Sequence, residues 1–370
     1  MFRIDRLELR EFRSYRHAEV EFAAGLNAVI GPNGQGKTNL LEAVHFLSTL
    51  RSLRNSPPEA LVETGAVEAI IRASVTIDER SVLIESAIAA SGRQRTQVNR
   101  HGGARRRDLG EVIQTIVFSP DDLDIVKGPP GGRRELVDDL AVACRPAAAD
   151  DLRTLERVLK QRNALLKQAG GRVTPEVSLS LDVWDERLAA AGDAVGAMRR
   201  DLVVALAPHV TEAYERIAGR HVEVALTYEP SWLGEGLAVA LARSRNDELR
   251  RGVSLVGPHR DDVLIGLASM PARTHASQGE QRSLALALRL ASHRLVTEAR
   301  DHAPILLLDD VFSELDPQRS AALFAALPDC QTLMATAAEL PAAAARPDRT
   351  IRVADGGIEV VPARPVGSAS

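Results

Sequence analysis

The chain has 370 residues, of which 45% are hydrophobic and 26% charged, and its formal net charge is −4. This composition is typical of a globular protein of two domains, or of one large domain with an insertion. No apolar run approaches the ~18–20 residues that a membrane-spanning helix needs, so a membrane protein is not expected. The only cysteines are Cys144 and Cys330, which excludes a disulfide framework or a Cys–His metal site and predicts a reducing, cytoplasmic setting.

The N-terminal third predicts short β-strands. Its first residues, MFRIDRLELREF, alternate charged and apolar side chains, as a strand does and a signal peptide does not. The strand LNAVI (26–30) leads into a Gly-rich loop. The runs AIIRASVTI and SVLIESAIA flank the polar turn Asp78–Arg80, which predicts an antiparallel hairpin. QTIVFSP (114–120) predicts a further strand.

The middle of the chain predicts two helices. Four leucines at helical spacing follow Pro146, and Arg162 occupies the remaining position of that apolar seam. A second seam runs from Trp184 to Leu202 after the breaker GGRVTPEVS. Two interpretations stay open, a short antiparallel arm of coiled-coil type or a helical subdomain packed on the body. Residues 146–219 are therefore predicted to be an inserted helical arm.

The C-terminal part returns to alternating elements. VEVALTY, LAVALAR and DVLIGL predict strands, and SQGEQ begins a helix. The buried strand PILLLDD, a helix over Pro317–Leu327, the strand QTLMATA and the hairpin TIRVADGGIEVV follow. The predicted domains are a discontinuous head (1–145 and 220–362), the arm between its two parts, and a flexible tail at 363–370.

The segment GPNGQGKT, Gly31–Thr38, matches G-x-x-x-x-G-K-[ST] between a strand and a helix, the setting that a phosphate loop requires. Glycines let backbone N–H groups approach a phosphate. Lys37 is expected to reach the β- and γ-phosphates of ATP, and the Thr38 hydroxyl to bind Mg²⁺. The predicted nucleotide-binding residues are Gly31, Pro32, Asn33, Gly34, Gln35, Gly36, Lys37, Thr38 and Asn39.

ILLLDD, Ile305–Asp310, predicts a strand buried on both faces that ends in two carboxylates. Such a strand delivers its acids to the phosphate end of an α/β sheet. With the phosphate loop present, Asp309 is predicted to hold Mg²⁺ and Asp310 to orient or deprotonate the attacking water. Lys37 and Asp310 are thus the predicted catalytic residues.

SQGEQ, Ser277–Gln281, allows two interpretations. Ser277 and Glu280 fit an ordinary capping box, whereas Ser277 and Gly279 could offer a hydroxyl and an N–H to a second phosphate. The acidic strand and then SELD (313–316) follow this turn. That order favours the phosphate interpretation.

The order GPNGQGKT, SQGEQ, LLLDD, SELD resembles the ABC-type ATPase head. More closely, the chain is similar to the RecF family of DNA replication and repair proteins, which are SMC-like ATPases. The similarity also involves LREFRSY, RSLR, VFSPDDLDIVKGPPGGRRELVD, GPHRDD and ASQGEQRSLALALRLA, and it covers about residues 1–340. It implies an α/β fold: an ABC-type head of mixed and antiparallel sheets around the phosphate-loop core, with an inserted helical arm subdomain.

The resemblance also implies why two phosphate sites occur. In ABC-type heads the signature turn binds the γ-phosphate held by a second subunit, which assigns that role to Ser277, Gln278, Gly279, Glu280 and Gln281. Ser313 and Asp316 become the D-loop. Asp310 stands where glutamate is usual, so slow hydrolysis is expected. Phe118–Asp122 replaces a metal-contacting glutamine, and Thr336 is the polar residue nearest the usual histidine.

By resemblance, an ATP-dependent homodimer binds duplex, gapped or junction DNA and helps load a recombinase with RecO/RecR-type mediators. Residues 93–107 hold six arginines and no acid, so Arg105, Arg106 and Arg107 are candidates for phosphate-backbone contacts, or for a solvated or ATP-facing loop. His259 suggests a structural or nucleotide-proximal role. The alternatives are a structural chromosome-associated ATPase that uses ATP to hold a dimer, and the ATPase subunit of a transporter.

Overall fold

The computed structural model describes residues 2–337, 346–354 and 356–361. The strands are β1 (Arg3–Phe12), β2 (Tyr15–Glu21), β3 (Leu26–Ile30), β4 (Glu68–Ile77), β5 (Arg80–Ala89), β6 (Gln94–Val98), β7 (His101–Gly102), β8 (Thr115–Phe118), β9 (Val224–Glu229), β10 (Asp262–Leu267), β11 (Met270–Pro271), β12 (Ile305–Asp309), β13 (Thr332–Thr336), β14 (Arg349–Ala354) and β15 (Gly357–Val361). The helices are α1 (Lys37–Thr49), α2 (Arg106–Leu109), α3 (Leu123–Lys127), α4 (Pro130–Cys144), α5 (Ala148–Ala169), α6 (Pro175–Ala218), α7 (Leu237–Arg251), α8 (Ala272–His275), α9 (Gln278–Arg300) and α10 (Pro317–Ala326). The predicted tail, 363–370, lies outside the described residues.

The chain divides into two compact units. The first comprises Met1–Asp122, Glu212–His221 and Leu286–Ser370, and the second comprises Leu123–Thr211 and Val222–Ala285. The predicted arm, 146–219, falls mostly in the second unit, and its role as a separate domain stays a prediction. Across the described residues, no helix is long and apolar enough to cross a membrane.

One sheet of the first unit is antiparallel, with the strand order β2-β1-β4-β5-β6-β7. Its β4–β5 hairpin turns at Asp78 and Glu79, whose φ angles of 48° and 63° are both positive. Two consecutive left-handed residues are what a two-residue hairpin turn of the type I′ class needs. The predicted hairpin is therefore confirmed.

The other sheet of the first unit has the order β15-β14-β3-β13-β12-β8, and all its pairings except β14–β15 are parallel. Residues Ile305–Leu308 of β12 are completely buried, as the run ILLL predicts for a strand covered on both faces. Asp309 pairs with Ala335, and Thr336 pairs with Ile30. The carboxyl ends of β3, β13 and β12 therefore meet at one edge.

Helix α1 shares a single apolar core with residues of both sheets. Its side chains Leu40, Leu41, Val44, Phe46 and Leu47 have no exposed surface. A helix with buried apolar side chains on several sides must be covered on several sides. This core fixes the direction in which α1, and so the loop before it, meets the sheet edge. The predicted α/β class, with mixed and antiparallel sheets around the helix that follows the phosphate loop, is confirmed.

The second unit combines helices α4–α7 with a small sheet of order β11-β10-β9. Leu155 and Val158 of α5, Leu188 and Val195 of α6, and Leu237 of α7 belong to one buried cluster. The pair α5–α6 therefore has α7 as a third member of its core.

The prediction of a strand for LAVALAR was wrong, because these residues begin α7. The letters alternate between large and small residues, but burial follows a helical spacing. Leu237, Ala240 and Leu241 are buried, whereas Val239 is 55% exposed. Gly236 and Gly252, which cap the helix, have φ angles of 85° and 67° that favour glycine.

Arg162 has no exposed surface, although it stands in an apolar seam. Its guanidinium donates to Asp185 at 2.7 Å, to Glu248 at 2.6 Å and to the Ser254 hydroxyl at 2.8 Å. These partners lie on α6, on α7 and in the segment after α7. The cluster thus ties three helices together with charges that are costly to leave unpaired.

Replacing Arg162 by methionine should destabilise the protein by about 3 kcal/mol, because Asp185 and Glu248 would keep their burial and lose their shared cation. Urea unfolding followed by circular dichroism measures the change. The control is Arg157→Met on the exposed side of α5, expected within about 0.5 kcal/mol of the parent. Adding Glu248→Gln to Arg162→Met should recover part of the loss, and equal midpoints for Arg162→Met and the control would contradict the role of this cluster.

Candidate active site

The loop between β3 and α1 needs glycine at three positions, for two backbone reasons. Gly34 and Gly36 have φ angles of 79° and 108°, in the region that other residues rarely adopt. Gly31 has no such angle, but a Cβ there would lie 2.0 Å from the carbonyl oxygen of Val353. The loop can therefore keep its backbone N–H groups close to a bound anion.

Lys37, the first residue of α1, folds over this loop. Its Nζ donates to the carbonyl oxygens of Gly31 at 2.8 Å and Pro32 at 2.9 Å. Two of the three ammonium N–H groups are thereby used, which leaves one for a phosphate oxygen. Burial lowers the pKa of Lys37, and the carboxylates of Asp310 and Asp309 oppose that shift without cancelling it.

Thr38 and Asp309 come together although 270 residues separate them in the chain. The Thr38 hydroxyl donates to Asp309 Oδ1 at 2.8 Å. A hydroxyl and a carboxylate side by side suit Mg²⁺, which is usually held by one or two protein oxygens together with phosphate oxygens and water. Within residues 2–337, 346–354 and 356–361, no group of three or more His, Cys, Asp or Glu side chains could hold a metal ion alone. The pair thus fits a metal that arrives with a nucleotide.

Asp309 carries an unfavourable charge. Burial raises the pKa of its carboxyl, and the neighbouring Asp310 adds to this, whereas Thr38, Arg54 and Lys37 act in the opposite direction. The net shift is upward. A bound divalent cation would favour the ionised form and remove this cost.

Asp310 follows β12 directly and has a φ of 50°, which costs a non-glycine residue about 1 kcal/mol or more. Its N–H donates to the carbonyl of Ala335 at 3.0 Å, and its carbonyl accepts from the Ser313 hydroxyl at 2.8 Å. The main chain is therefore held on both sides of a strained residue. Strain that the surroundings enforce is typical of functional positions.

Two further positions at this edge were expected from the ABC-type pattern. Asp122, in the stretch that replaces the usual glutamine, is buried and accepts from Ser119 N at 2.9 Å and from Arg289 Nη2 at 2.6 Å. Its carboxylate is thus paired with α9, a contact that no local sequence signal could reveal. Thr336 is buried at the end of β13.

The SQGEQ turn forms the capping box that was one of its two interpretations. Ser277 Oγ donates to Glu280 Oε2 at 2.8 Å and accepts from Glu280 N at 3.3 Å. Gln281 is buried and donates to the carbonyls of Ala272 and Arg273. Ser277 and Gln278 are exposed at the N-terminus of the 23-residue helix α9. The capping box and the phosphate interpretation are compatible, since the helix end stays accessible to an anion.

The predicted D-loop contains a helix cap. Asp316 precedes α10 and accepts from Arg319 N at 2.8 Å, and this hydrogen bond lowers the pKa of Asp316. Ser313 is exposed, apart from its bond to the Asp310 carbonyl. Whether both face a partner subunit stays a prediction.

Residues of LREFRSY that motif reasoning gave no role also contact the phosphate loop. The Tyr15 hydroxyl donates to the Gly36 carbonyl at 2.9 Å, and Asn39 Nδ2 donates to Ser14 Oγ at 2.9 Å. Asn39, a predicted nucleotide ligand, therefore has a protein partner through its side chain. The signal that could have found these residues was their place in a motif with no assigned chemistry.

The side chains of GPHRDD form hydrogen bonds with several elements of the second unit. Asp262 accepts two hydrogen bonds from Arg133, at 2.8 and 2.9 Å, and Asp261 accepts from Tyr228 at 2.5 Å and Trp232 at 3.1 Å. His259 Nε2 lies 3.1 Å from the Ser254 carbonyl, and burial lowers the pKa of its ring. These contacts are those of a structural motif.

The three candidate DNA-binding arginines lie close to the β6–β7 edge of the antiparallel sheet. Arg105 and Arg107 are exposed, and Arg106 is half-buried. Arg105 precedes the short helix α2, and its N–H donates to Asp108. The two exposed guanidinium groups are thus accessible within their own unit.

The chain is similar to known proteins along most of its length. The sequence model of the RecF/RecN/SMC N terminal domain matches residues 3–353. A protein of Streptomyces avermitilis named DNA replication and repair protein RecF is 45% identical over 351 residues, which covers 90% of this chain and 93% of that protein. A structure described as the recombination mediator protein RecF-ATPrS in the RecFOR pathway has a TM-score of 0.89 and 27% identity, with 98% of each chain covered. A Pyrococcus furiosus Smc head domain with an extended coiled coil shares the fold, with a TM-score of 0.56 and 18% identity over 98% of this chain and 96% of that one.

Replacing Asp309 by asparagine should raise the melting temperature of the nucleotide-free protein at about pH 7.5. The folded state raises the pKa of Asp309 and so favours the protonated form. The free-energy cost of the Asp309 charge to folding is therefore absent below the pKa of this group in the unfolded chain. It grows as the pH rises through its higher pKa in the folded protein. The gain should shrink towards about pH 5 when thermal unfolding is measured in EDTA.

The control for this prediction is Asp329→Asn, which removes the same charge from an exposed carboxylate. It should change the melting temperature little at either pH. A gain for Asp309→Asn that is equal at both pH values would contradict the electrostatic explanation.

Proposed function

This chain belongs to the RecF family of DNA replication and repair proteins, and from that membership we propose how its ATPase site works. It is an ATP-dependent protein of DNA repair and replication with an ABC-type ATPase head. The observation that carries the proposal is the convergence of Lys37, Thr38, Asp309 and Asp310 at one sheet edge. Family membership argues against the transporter-subunit alternative.

The loop residues Gly31–Asn39 hold the phosphates of ATP in this proposal. Lys37 neutralises charge on the β- and γ-phosphates, and Thr38 with Asp309 holds the accompanying Mg²⁺, which offsets phosphate charge during transfer. Asp310 orients the attacking water and accepts its proton. Because an aspartate is shorter than the usual glutamate, we expect slow turnover.

The signature residues Ser277–Gln281 complete the site of a second copy of the chain. One observation supports this. Ser277 and Gln278 are exposed at a helix N-terminus, where N–H groups and the helix dipole favour an anion. Ser313 and Asp316 would line the same dimer interface.

The ATP-bound dimer would bind duplex, gapped or junction DNA through phosphate contacts, with Arg105, Arg106 and Arg107 among the residues involved. Its partners would be RecO/RecR-type mediators, in the cytoplasm, and residues 146–219 would serve as its arm. The alternative is a chromosome-associated ATPase that uses ATP only to hold a dimer. It differs from the proposed function in its rate of ATP hydrolysis. An ATPase assay with and without DNA separates the two.

Mixing two inactive variants tests the action of the signature turn across the interface. Lys37→Met should prevent ATP binding, and Ser277→Arg should place a bulky cation where the partner's γ-phosphate belongs. Neither variant alone should dimerise with ATP. In the mixed dimer one site has an intact Lys37 facing an intact Ser277, so ATP-dependent association should return, as measured by analytical ultracentrifugation.

Both chains should carry Asp310→Asn, which keeps binding and stops turnover because an amide cannot accept the proton. Asp310→Asn alone is the positive control for dimer formation. If the mixture stays monomeric while this control dimerises, the signature turn does not act in trans. Loss of ATP binding by the monomeric Ser277→Arg variant would instead assign the turn to its own chain.

Replacing Arg105, Arg106 and Arg107 by alanine should weaken DNA binding to a similar degree for all sequences. The slope of log affinity against log salt should shrink by up to about 0.9 for each duplex phosphate contact that is lost. Fluorescence anisotropy across a salt series, with ATP present, measures both quantities.

The matched control replaces Arg157, Arg250 and Arg251, three exposed arginines of the second unit, and so removes the same charge elsewhere. A slope unchanged from that of the parent would assign Arg105–Arg107 to solvent or the nucleotide. Equal slopes in the two triple variants would indicate an effect of net charge only.

A further inference from the structure

We infer that Tyr15 is a positioning residue for the phosphate loop, because its hydroxyl fixes the peptide that joins Gly36 to Lys37. The inference rests on the proposed binding of ATP phosphates by this loop. Tyr15 lies outside the phosphate-loop motif and has no contact with the reacting atoms in the proposed mechanism.

The contact is short and buried. Tyr15 has no exposed surface, and its hydroxyl donates to the carbonyl oxygen of Gly36 at 2.9 Å. The same oxygen accepts from Leu40 N at 3.0 Å, the first hydrogen bond of α1. Two donors from different directions thus hold one carbonyl group.

The position of this carbonyl determines where the loop's next donor points. The C=O of Gly36 and the N–H of Lys37 belong to one planar trans peptide and point in opposite directions. Holding the oxygen towards Tyr15 and Leu40 therefore holds the Lys37 N–H on the opposite side. That N–H is one of the first groups of α1, which have no partner within the helix and serve to bind anions.

Gly36 needs such a constraint more than other residues do. Its φ of 108° and ψ of 2° lie in a region that glycine adopts readily because it has no Cβ. The same backbone freedom makes glycine costly to hold in one conformation. A Cβ at this position would lie 2.8 Å from Ser14 Oγ and 3.0 Å from the Tyr15 hydroxyl, so the β1–β2 turn packs directly against the bare Cα. The β1–β2 turn therefore limits the backbone rotation of Gly36.

The β1–β2 turn is in turn anchored to α1. Arg13 donates to both carboxylate oxygens of Glu42, at 2.8 and 3.0 Å, and to the Ala60 carbonyl at 2.9 Å. Glu42, five residues after Lys37 in α1, is fully buried and accepts a further hydrogen bond from Ser52 at 2.5 Å. Because the β1–β2 turn is bonded to α1, it holds the phosphate loop and α1 in a fixed relative position.

Tyr15→Phe tests this role, because it removes the hydroxyl and keeps the ring. The Gly36 carbonyl would keep its bond to Leu40 N, so no buried acceptor is left unpaired and folding should be preserved. We expect the Kd for MgATP to rise about fivefold, because a loop that is no longer held in the binding geometry must be ordered when the nucleotide binds. Turnover at saturating ATP should stay within about twofold, since the Lys37 N–H contributes equally to substrate and transition state.

The matched control is Tyr214→Phe. Tyr214 is also fully buried in the first unit, and its hydroxyl has no hydrogen-bond partner in the part of the chain that the structure describes. Its variant should keep the parental Kd. Hydrogen exchange of the backbone amides of residues 34–40, without nucleotide, should quicken in Tyr15→Phe and not in Tyr214→Phe. The melting temperature of Tyr15→Phe should fall by no more than about 4 °C.

A parental Kd and parental exchange in Tyr15→Phe would overturn the inference, as would an equal rise of Kd in both variants. A fall in turnover at an unchanged Kd would also overturn it, because the hydroxyl would then act on the chemical step. If the parent protein itself fails to bind MgATP, the proposed function fails and not the role of Tyr15 in shaping the loop, which the exchange measurement tests without nucleotide.

Discussion

The parallel pairing of β13 between β3 and β12 is the constraint on which the active site depends. It aligns Thr336 with Ile30 and Ala335 with Asp309, so that the residues after three strands emerge at one level. The bond between Thr38 and Asp309 is possible only in this register. Because side chains alternate along a strand, a slip of one residue in β12 would turn Asp309 to the other face of the sheet.

The site brings together groups that are unfavourable in this environment. It collects a lysine whose pKa burial lowers, an aspartate whose pKa burial raises, and a non-glycine residue at positive φ. Each would favour a different arrangement if it were free to move. The buried apolar side chains of α1 and the Arg13–Glu42 pair supply the rigidity that keeps them together. A nucleotide with its metal would relieve much of this cost, which is how binding and folding stability become linked.

The second unit uses buried ion pairs for the same purpose of holding elements in register. Arg162 joins α5, α6 and α7, Arg133 joins α4 to β10, and Arg199 of α6 pairs with Asp138 of α4 at 2.8 Å. Such pairs add little net stability compared with apolar packing, but wrong arrangements leave a charge buried and alone. They therefore select one packing of long helices whose apolar faces could slide.

Local sequence patterns were sufficient to predict the features that are formed by residues close together in the chain. Spacing alone predicts features whose residues lie within a few positions of each other. These are the phosphate loop, the acidic strand Ile305–Asp309, the β4–β5 hairpin and the Ser277–Glu280 capping box.

The strand prediction for the α7 segment was wrong because alternating large and small residues fit a strand and a helix equally well. Only the neighbouring elements decide which face is buried. The contact of Tyr15 with Gly36 and the pairing of Asp122 with Arg289 join residues that are distant in the chain. Thr38 and Asp309 are also distant. Their motifs predicted a shared Mg²⁺ site, but not the hydrogen bond between them. Only the tertiary packing could decide these contacts, because hydrogen bonds between distant residues leave no periodic mark on the sequence.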